Sequence, residues 1–276
     1  MDLYGVETYL KPKSLTDVSD WQADWNWLAG GTWIFNQVQP QIKTLVDMQQ
    51  LGWAAIEVTS AGLSIGATCV QNDLLDFSFP TGWSATEALK DAVRELASFK
   101  LSHAATVGGN ICLALTASTF APVMVALQAK YEIWRAGSEP YTMDAVDFQV
   151  APQQTVLASG DVLRSIQISK ENLAQWQTRF KRMAVCTAGY AIAIVVTAYH
   201  PYTQQVRFGI GGSVPAPCLI KFDTLPTAKQ MGAALQEKIF LDNERGSAVY
   251  RQHITQVLMQ RGMEELITGT VGARRY

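Results

Sequence analysis

The stretches A-G-G-T at residues 29–32 and A-T-V-G-G-N at residues 105–110 carry most of the information in this chain. Each places a glycine pair beside a side chain that can hydrogen-bond a phosphate oxygen, Thr32 in the first and Asn110 in the second. Because glycine has no Cβ, two successive N–H groups can turn toward one point and hold an anion. A single glycine pair is more often a tight turn. Two such pairs suit a ligand with two adjoining phosphates, and a dinucleotide is the obvious candidate.

The length and composition of the chain limit how many domains it can form and which classes of protein it can belong to. The chain has 276 residues, enough for one large domain or for two or three small ones. Hydrophobic residues make up 48% of it, which is ample for a buried core, and only 17% are charged. A net charge of −2 without any basic run argues against nucleic-acid binding.

Tryptophan is concentrated near the N-terminus. The chain has eight tryptophans, and five of them lie at positions 21, 25, 27, 33 and 53. A charge-poor surface rich in tryptophan is typical of a subunit that packs against other subunits. A core rich in tryptophan explains the same composition, and the sequence leaves both interpretations open.

No segment of the sequence predicts a membrane span or a secretory signal. The longest strongly apolar stretch, residues 190–199, is too short to cross a bilayer and is rich in β-branched residues, so it predicts a buried strand. The N-terminus lacks a basic segment followed by an apolar one. We therefore expect a cytoplasmic protein.

Cysteine and histidine give no sign of a metal centre. They occur at Cys69, Cys112, Cys186, Cys218, His103, His200 and His253. The cysteines form no C-x-x-C pair, so neither an iron–sulfur cluster nor a zinc ribbon fits their spacing. The histidines are isolated from one another and from carboxylates at ligand spacing. We expect reduced, mostly buried cysteines and no metal site.

The order of patterns predicts three units along the chain. In residues 1–53, Ser14 caps a short helix, and a strand at 25–28 runs into the first glycine loop. In residues 54–170, a hairpin at 55–67 and a helix at 86–99 precede the second glycine loop. A buried helix at 117–127, a hairpin at 131–143 and a strand at 160–168 follow that loop.

A polar stretch at 169–176 marks the boundary of the third unit. This unit contains the apolar strand, a strand at 206–212 and helices at 227–240 and 247–266. A third glycine pair, at 211–212, precedes V-P-A-P and predicts a rigid structural turn.

Five motifs in order resemble the FAD-binding medium subunit of molybdenum hydroxylases, the family that includes xanthine dehydrogenase and carbon monoxide dehydrogenase. They are L-A-G-G-T at 28–32, V-D with I-G-A-T at 46–47 and 65–68, A-T-V-G-G-N at 105–110, G-G-S-V-P-A-P at 211–217 and S-A-V-Y-R at 247–251. Either glycine loop alone is a weak signal, but five motifs in the right order are a strong one. The likeness extends from about residue 9 to residue 261.

The resemblance implies an α+β fold with two domains. Residues 1–170 are expected to form an FAD-binding domain of the PCMH/vanillyl-alcohol-oxidase type, with subdomains 1–53 and 54–170. Residues 176–276 are expected to form a smaller α/β domain of the carbon monoxide dehydrogenase flavoprotein C-terminal type.

The resemblance also implies a set of FAD-binding residues. One side of the pyrophosphate is expected to lie against Trp27, Leu28, Ala29, Gly30, Gly31, Thr32 and Trp33. The other side is expected to lie against Thr106, Gly108, Gly109, Asn110, Ser118 and Thr119. Leu163 matches a position against the flavin ring, and Lys181 or Arg182 supplies a positive charge near it. No catalytic side chain is expected, because the flavin carries the chemistry.

The chain departs from the family at several of these positions. Leu113 replaces a polar flavin-contacting residue, Thr119 replaces an Asp, and Ala184 stands where an Asp is usual. Trp33 fills a position that is usually polar. These departures motivate an alternative, a flavin-free structural subunit, whereas the intact glycine loops and Asn110 favour flavin binding.

The implied function is electron transfer within a heterotrimer. Electrons would leave a molybdopterin large subunit, pass two [2Fe-2S] clusters of a small subunit, and reach NAD or another acceptor through the FAD of this chain. Such a subunit is not active alone on the hydroxylated substrate. An oxygen-dependent alcohol or sugar oxidase is a weaker alternative, because no Cys or His has a context for covalent flavin attachment.

Overall fold

The computed structural model describes residues 4–36, 38–96, 99–135, 137–186 and 189–269. The strands are β1 (Thr8–Leu10), β2 (Trp25–Leu28), β3 (Thr44–Asp47), β4 (Ile56–Val58), β5 (Gly62–Gly66), β6 (Lys130–Trp134), β7 (Tyr141–Asp144), β8 (Gln149–Ala151), β9 (Gln154–Thr155), β10 (Val162–Ser169), β11 (Gln177–Ala184), β12 (Ala191–Tyr199), β13 (Val206–Gly211) and β14 (Cys218–Phe222).

Apart from the last one, the described α-helices are short. They are α1 (Asp73–Asp76), α2 (Glu87–Arg94), α3 (Phe99–Ser102), α4 (Val107–Cys112), α5 (Phe120–Ala126), α6 (Lys170–Ala174), α7 (Ala228–Gln236) and α8 (Ala248–Thr268). Short 3₁₀ helices cover Leu15–Val18, Ile34–Asn36, Met48–Leu51, Ser84–Thr86 and Ala145–Asp147. The predicted α+β class is confirmed.

The first sheet is parallel and small. Its order is β1-β3-β2, and β3 pairs in parallel with both neighbours. All four residues of β3 are buried, which fits a central parallel strand covered on both faces. Because β2 ends at Leu28, the A-G-G-T loop leaves the sheet at its carboxyl edge.

The second sheet is antiparallel and has five strands in the order β4-β5-β10-β6-β7. The predicted hairpins, β4–β5 and β6–β7, are confirmed. The central strand β10 carries an irregular register between Leu163 and Ser165 against β6. Such a bulge bends the strand locally and redirects its side chains, and Leu163 lies at that point.

The third sheet is an antiparallel meander, β11-β12-β13-β14. Every residue of β12 except Tyr199 is buried. Ala193 and Val195 belong to a core formed with α7 and α8, whereas Ile194, Val196 and Ala198 belong to the large core of the second sheet. Burial on both faces explains why this strand is a continuous apolar run rather than an alternating one.

Several predicted elements have different boundaries in the structure. The helix predicted at 117–127 begins only at Phe120, because Ser118 folds back to hydrogen-bond Asn110 at 2.5 Å. The polar stretch at 169–176 contains α6, whose N-terminus is capped by the Ser169 hydroxyl. The helix predicted at 86–99 ends at Arg94, and residues 97–98 lie outside the described part of the chain.

The prediction that most cysteines are buried is wrong. All four are free thiols, but only Cys69 is buried, Cys112 and Cys218 are partly exposed, and Cys186 is exposed. Burial raises the pKa of the Cys69 thiol to about 12.

Candidate cofactor-binding site

A cleft of about 930 Å³ lies between the first sheet, the second glycine loop and the edge of the third sheet. This volume is at the upper end of the range of about 300–1,000 Å³ that is usual for ligand pockets. All the predicted site residues except Lys181 line it: Trp27, Leu28, Ala29, Gly30, Gly31, Thr32, Trp33, Thr106, Gly108, Gly109, Asn110, Ser118, Thr119 and Leu163.

The first glycine loop offers free backbone donors. Gly31 has a φ of +70°, a left-handed conformation that glycine adopts without strain. Among the described residues, none accepts a hydrogen bond from the N–H groups of Gly30, Gly31 or Thr32. The structure therefore leaves three successive backbone donors unpaired at the end of a strand, as an anion-binding loop requires.

The prediction of a second such concavity, at residues 105–110, is wrong. The Val107 and Gly108 N–H groups donate to the carbonyls of Cys69 and Ala67, each at 2.9 Å. The Gly109 N–H donates to the Thr106 hydroxyl at 3.0 Å, because Thr106 caps α4. The glycines of this loop therefore serve close packing: a Cβ at Gly108 would lie 2.6 Å from the Ala67 carbonyl oxygen.

The two loops touch each other at the floor of the cleft. A Cβ at Gly30 would lie 2.1 Å from the carbonyl oxygen of Ala104, just before the second loop. A Cβ at Gly109 would lie 4.0 Å from the Cβ of Ala29. The polar groups that the second loop turns to the cleft are side chains, and the Asn110 amide is held in place through Ser118.

Three buried polar atoms without a hydrogen-bond partner belong to residues of this cleft. They are Nε1 of Trp27, Oε1 of Gln71 and Oγ1 of Thr119. Gln71 is fully buried and Thr119 is 3% exposed. The residues that carry these atoms line the cleft, but each atom itself has almost no accessible surface, so a ligand in the cleft does not reach it in this conformation. Each carries the free-energy cost of a buried polar atom without a partner.

Four of the five tryptophans near the N-terminus line the cleft, which neither interpretation of the composition anticipated, whereas Trp53 is buried in the large core. Trp21, Trp25, Trp27 and Trp33 all contribute to its wall. Trp21 stacks on Trp27 with ring centroids 4.5 Å apart, and its edge meets Trp25 at 5.6 Å. Trp21 also packs against Gly160, which holds this aromatic wall against the turn at 158–161.

The third sheet places Arg182, not Lys181, at the cleft. Arg182 lines it and donates a hydrogen bond to the Gly189 carbonyl. The Lys181 side chain lies on the other face of β11, where its Nζ is 2.5 Å from Glu265 on α8. Side chains alternate along a strand, so neighbouring residues necessarily serve opposite faces.

Residues 4–170 match the FAD binding domain in molybdopterin dehydrogenase. This match covers more than half of the chain. The chain belongs to that family.

Relatives and solved structures agree with this assignment. The medium chain of glyceraldehyde dehydrogenase from Sulfolobus acidocaldarius is 24% identical over 260 residues, covering 87% of this chain and 89% of that protein. Xanthine dehydrogenase/oxidase from Felis catus is 28% identical over 166 residues, covering 55% of this chain but only 12% of that enzyme. The chain therefore spans a small part of the larger enzyme.

The fold matches solved structures over nearly its whole length. A chain of carbon monoxide dehydrogenase from Hydrogenophaga pseudoflava superposes with a TM-score of 0.84 at 18% identity, covering 96% of this chain and 99% of that chain. A chain of the enzyme from Oligotropha carboxidovorans gives a TM-score of 0.83 at 19% identity. The predicted fold type is confirmed, and this molybdopterin dehydrogenase chain is an FAD-binding oxidoreductase subunit.

The departures from the family pattern differ in their relation to the FAD-binding cleft. Leu113 and Thr119 line it, whereas Ala184 ends β11 and is not among the lining residues. Thr119 keeps a hydroxyl with no partner there, so it retains hydrogen-bonding capacity in place of a carboxylate.

Within the described residues, no group of three or more His, Cys, Asp and Glu side chains can hold a metal ion. No helix in that part of the chain is long and apolar enough to cross a membrane.

Asp161 secures the turn that forms one wall of the cleft. Its carboxylate accepts hydrogen bonds from the Arg135 guanidinium, at 2.8 Å for Nη2, and from the Ala158 N–H at 3.0 Å. Burial acts to raise the pKa of this carboxyl, but the Arg135 and Ala158 hydrogen bonds hold it below its ordinary value. The carboxylate therefore stabilises the turn above the ordinary Asp pKa of about 4, and this contribution is lost as pH falls through the lower folded value.

We expect Asp161→Asn to weaken FAD binding about threefold to tenfold at pH 7, because the turn at 158–161 loses a charge-assisted anchor. FAD titrations monitored by flavin fluorescence between pH 7 and pH 3.5 measure this. The difference from wild type should be full above about pH 4, the ordinary Asp pKa, and shrink only as the pH falls through the lower pKa of the folded state. Asp144→Asn, which removes an exposed carboxylate 3.6 Å from Lys130, is the control. A difference that is constant over the whole pH range would contradict this role for Asp161.

Proposed function

We propose that this chain is the FAD-carrying electron-transfer subunit of a xanthine dehydrogenase-like molybdenum hydroxylase. It passes electrons from iron–sulfur clusters of a partner subunit through FAD to NAD or another acceptor. The observation that supports this most is the cleft itself, with three free N–H groups in the first glycine loop. The chain is not active alone on the hydroxylated substrate.

Different residues of the cleft bind different parts of FAD. The N–H groups of Gly30, Gly31 and Thr32 bind a phosphate, and Gly108 and Gly109 allow the close packing that keeps the second loop in place beside it. The side chains of Asn110, Ser118 and Thr119 bind on the other side of the pyrophosphate, and Leu163 packs against the flavin ring. When bound, FAD supplies the redox chemistry, accepting two electrons and releasing them to an acceptor.

Arg182 is the residue that we propose sets the electrostatics of the flavin, in place of Lys181. We expect Arg182→Gln to lower the FAD reduction potential by about 30 mV, because a nearby positive charge favours the reduced, more negative cofactor. Redox titration followed by absorbance measures the shift. Lys181→Gln is the matched control on the adjacent residue, whose charge is paired with Glu265. Equal shifts in the two variants would contradict a specific role for Arg182.

The assembly follows from the same proposal. Partners are an iron–sulfur small subunit and a molybdopterin large subunit in a cytoplasmic heterotrimer, and neither molybdopterin nor a [2Fe-2S] cluster resides on this chain. Within the chain, residues 1–170 form the FAD-binding domain, with subdomains at about 1–53 and 54–170, and residues 176–276 form the C-terminal domain.

The test is an absorption spectrum of the purified chain, alone and co-expressed with the two partner subunits. Flavin bands at about one FAD per chain would support the proposal. A chain that stays colourless with added FAD, even in the assembled complex, would favour a flavin-free structural subunit. The hydrogen-bonded N–H groups of the second loop and the apolar side chain of Leu113 are the observations that favour this second candidate.

A further inference from the structure

Ala114 follows the helix of the second glycine loop in a conformation that alanine rarely adopts. The helix α4 ends at Cys112, Leu113 is its C-cap, and Ala114 comes next with a φ of +50°. Glycine is the usual residue at this point of a helix, because a Cβ disfavours the left-handed region. Such strain persists only where the surrounding structure holds the residue in place.

Two donors from the β8–β9 hairpin hold the Ala114 carbonyl. Nε2 of Gln149 and the N–H of Gln153 each donate to it at 2.8 Å. The same Nε2 lies 3.4 Å from the carbonyl oxygens of Ala151 and Pro215, so its bond to Ala114 is the shortest of three. Oε1 of this buried glutamine has no partner, which is costly. An apolar residue would avoid that cost, so the contribution of Gln149 lies in the bonds of its nitrogen.

The conformation of Ala114 determines the path of residues 113–119 along the cleft. Leu113 and Leu115 line the cleft and are partly exposed, whereas Ala114 between them is fully buried. Farther along, the Ser118 N–H donates to the Leu115 carbonyl at 2.9 Å and closes a turn. A change of Ala114 to the right-handed region would redirect the chain after it, and the wall of the cleft would change shape.

We propose that Gln149 is a positioning residue for the cofactor: its amide holds Ala114 in the left-handed conformation and so keeps residues 113–119 in the shape that binds FAD. Gln149 acts through this segment, because it is not among the residues that line the cleft. The third glycine pair contributes from the other side, since the Gly212 N–H donates to the Thr116 carbonyl at 2.8 Å. The inference rests on the proposed function, because it requires that the chain binds FAD.

Gln149→Leu is expected to weaken FAD binding about threefold to tenfold, the value of one hydrogen bond, because part of the population leaves the binding conformation. Fluorescence titration of the full chain measures the dissociation constant. This variant also loses the two longer contacts, to Ala151 and Pro215, so a second substitution isolates the bond to Ala114. Glycine adopts the left-handed region without strain. Ala114→Gly added to Gln149→Leu is therefore expected to restore the affinity to within about twofold of wild type.

Gln204→Gly is the matched control for this rescue. Gln204 has a φ of +60° in the exposed turn between β12 and β13, and it is not among the residues that line the cleft. It relieves the same kind of backbone strain at a distance from the site, so Gln149→Leu should stay weak when Gln204→Gly is added. Equal restoration by both glycine variants would attribute the loss to general stability and overturn the role of Gln149.

Amide hydrogen exchange of the apo proteins gives a readout without FAD. Peptides that cover residues 113–119 are expected to exchange faster in Gln149→Leu than in wild type, and close to the wild-type rate once Ala114→Gly is added. A Gln149→Leu protein with wild-type FAD affinity, or a loss that Ala114→Gly does not restore, would overturn the role of Gln149. A wild-type chain that binds no FAD would instead overturn the proposed function, while the exchange rates still report whether Gln149 holds the segment.

Discussion

Gly30→Ala is expected to weaken FAD binding at least about 100-fold. The new Cβ would lie 2.1 Å from the Ala104 carbonyl oxygen and 3.0 Å from the Cα of Ala105. Because both obstacles are backbone atoms, no side-chain rotation relieves the overlap, and the two glycine loops must move apart. The movement takes the N–H groups of the first loop away from the phosphate, and the loss of two hydrogen bonds to a charged group, at about 1.5–3 kcal/mol each, accounts for at least two orders of magnitude. Fluorescence titration with FAD measures the dissociation constant.

Gly232→Ala is the control for this prediction. It lies within α7, and its Cβ would meet only the flexible side chain of Gln256 at 3.3 Å. Replacing a helix-interior glycine by alanine stabilises a protein by about 0.5–1 kcal/mol, so this variant should fold well and bind FAD normally. A Gly30→Ala protein with wild-type FAD affinity would show that contact between the two loops is unimportant for the site.

Arg251→Met is expected to lower the free energy of unfolding by about 3–5 kcal/mol and the melting temperature by about 10 °C. Arg251 is 2% exposed and donates to the carbonyls of Ile192 and Gly212 at 2.7 and 2.9 Å. It also bonds the Gly246 carbonyl and the Asn243 side chain. Methionine fills a similar volume but leaves these buried acceptors unpaired. Burial lowers the pKa of this guanidinium, but it stays charged at neutral pH.

Arg261→Met provides the comparison on the same helix. Arg261 is exposed on α8, and exposed charges contribute little to stability. Urea unfolding followed by circular dichroism should therefore separate the two variants clearly. Similar midpoints for both would mean that the hydrogen bonds of Arg251 to β12 and to Gly212, directly after β13, do not stabilise the third sheet.

The sequence predicts the elements whose signals are local. The apolar run at 190–199 is a strand buried on both faces, and the alternation around the two hairpins gives their strands correctly. Ser14 caps a 3₁₀ helix at the expected place. The glycine loops also meet at one cleft, as their pairing suggested, because both follow elements that end at its floor.

The features that the sequence could not predict depend on long-range contacts. The N–H groups of Val107 and Gly108 are occupied by carbonyls of residues about forty positions away, which no local pattern reveals. The choice between Lys181 and Arg182 depends on which face of β11 meets α8. Gln71 has no distinctive sequence signal for its burial, because it begins the polar run Q-N-D at residues 71–73.

The burial of β12 on both faces has a consequence for how this protein can be divided. Its Ile194, Val196 and Ala198 pack in the large core of the second sheet, while Ala193 and Val195 pack in the core formed with α7 and α8. A fragment cut near residue 170 would leave the core of the second sheet open to water. Neither part buries its apolar surface without the other, so we expect neither to stay soluble when it is transferred alone into a chimeric flavoprotein.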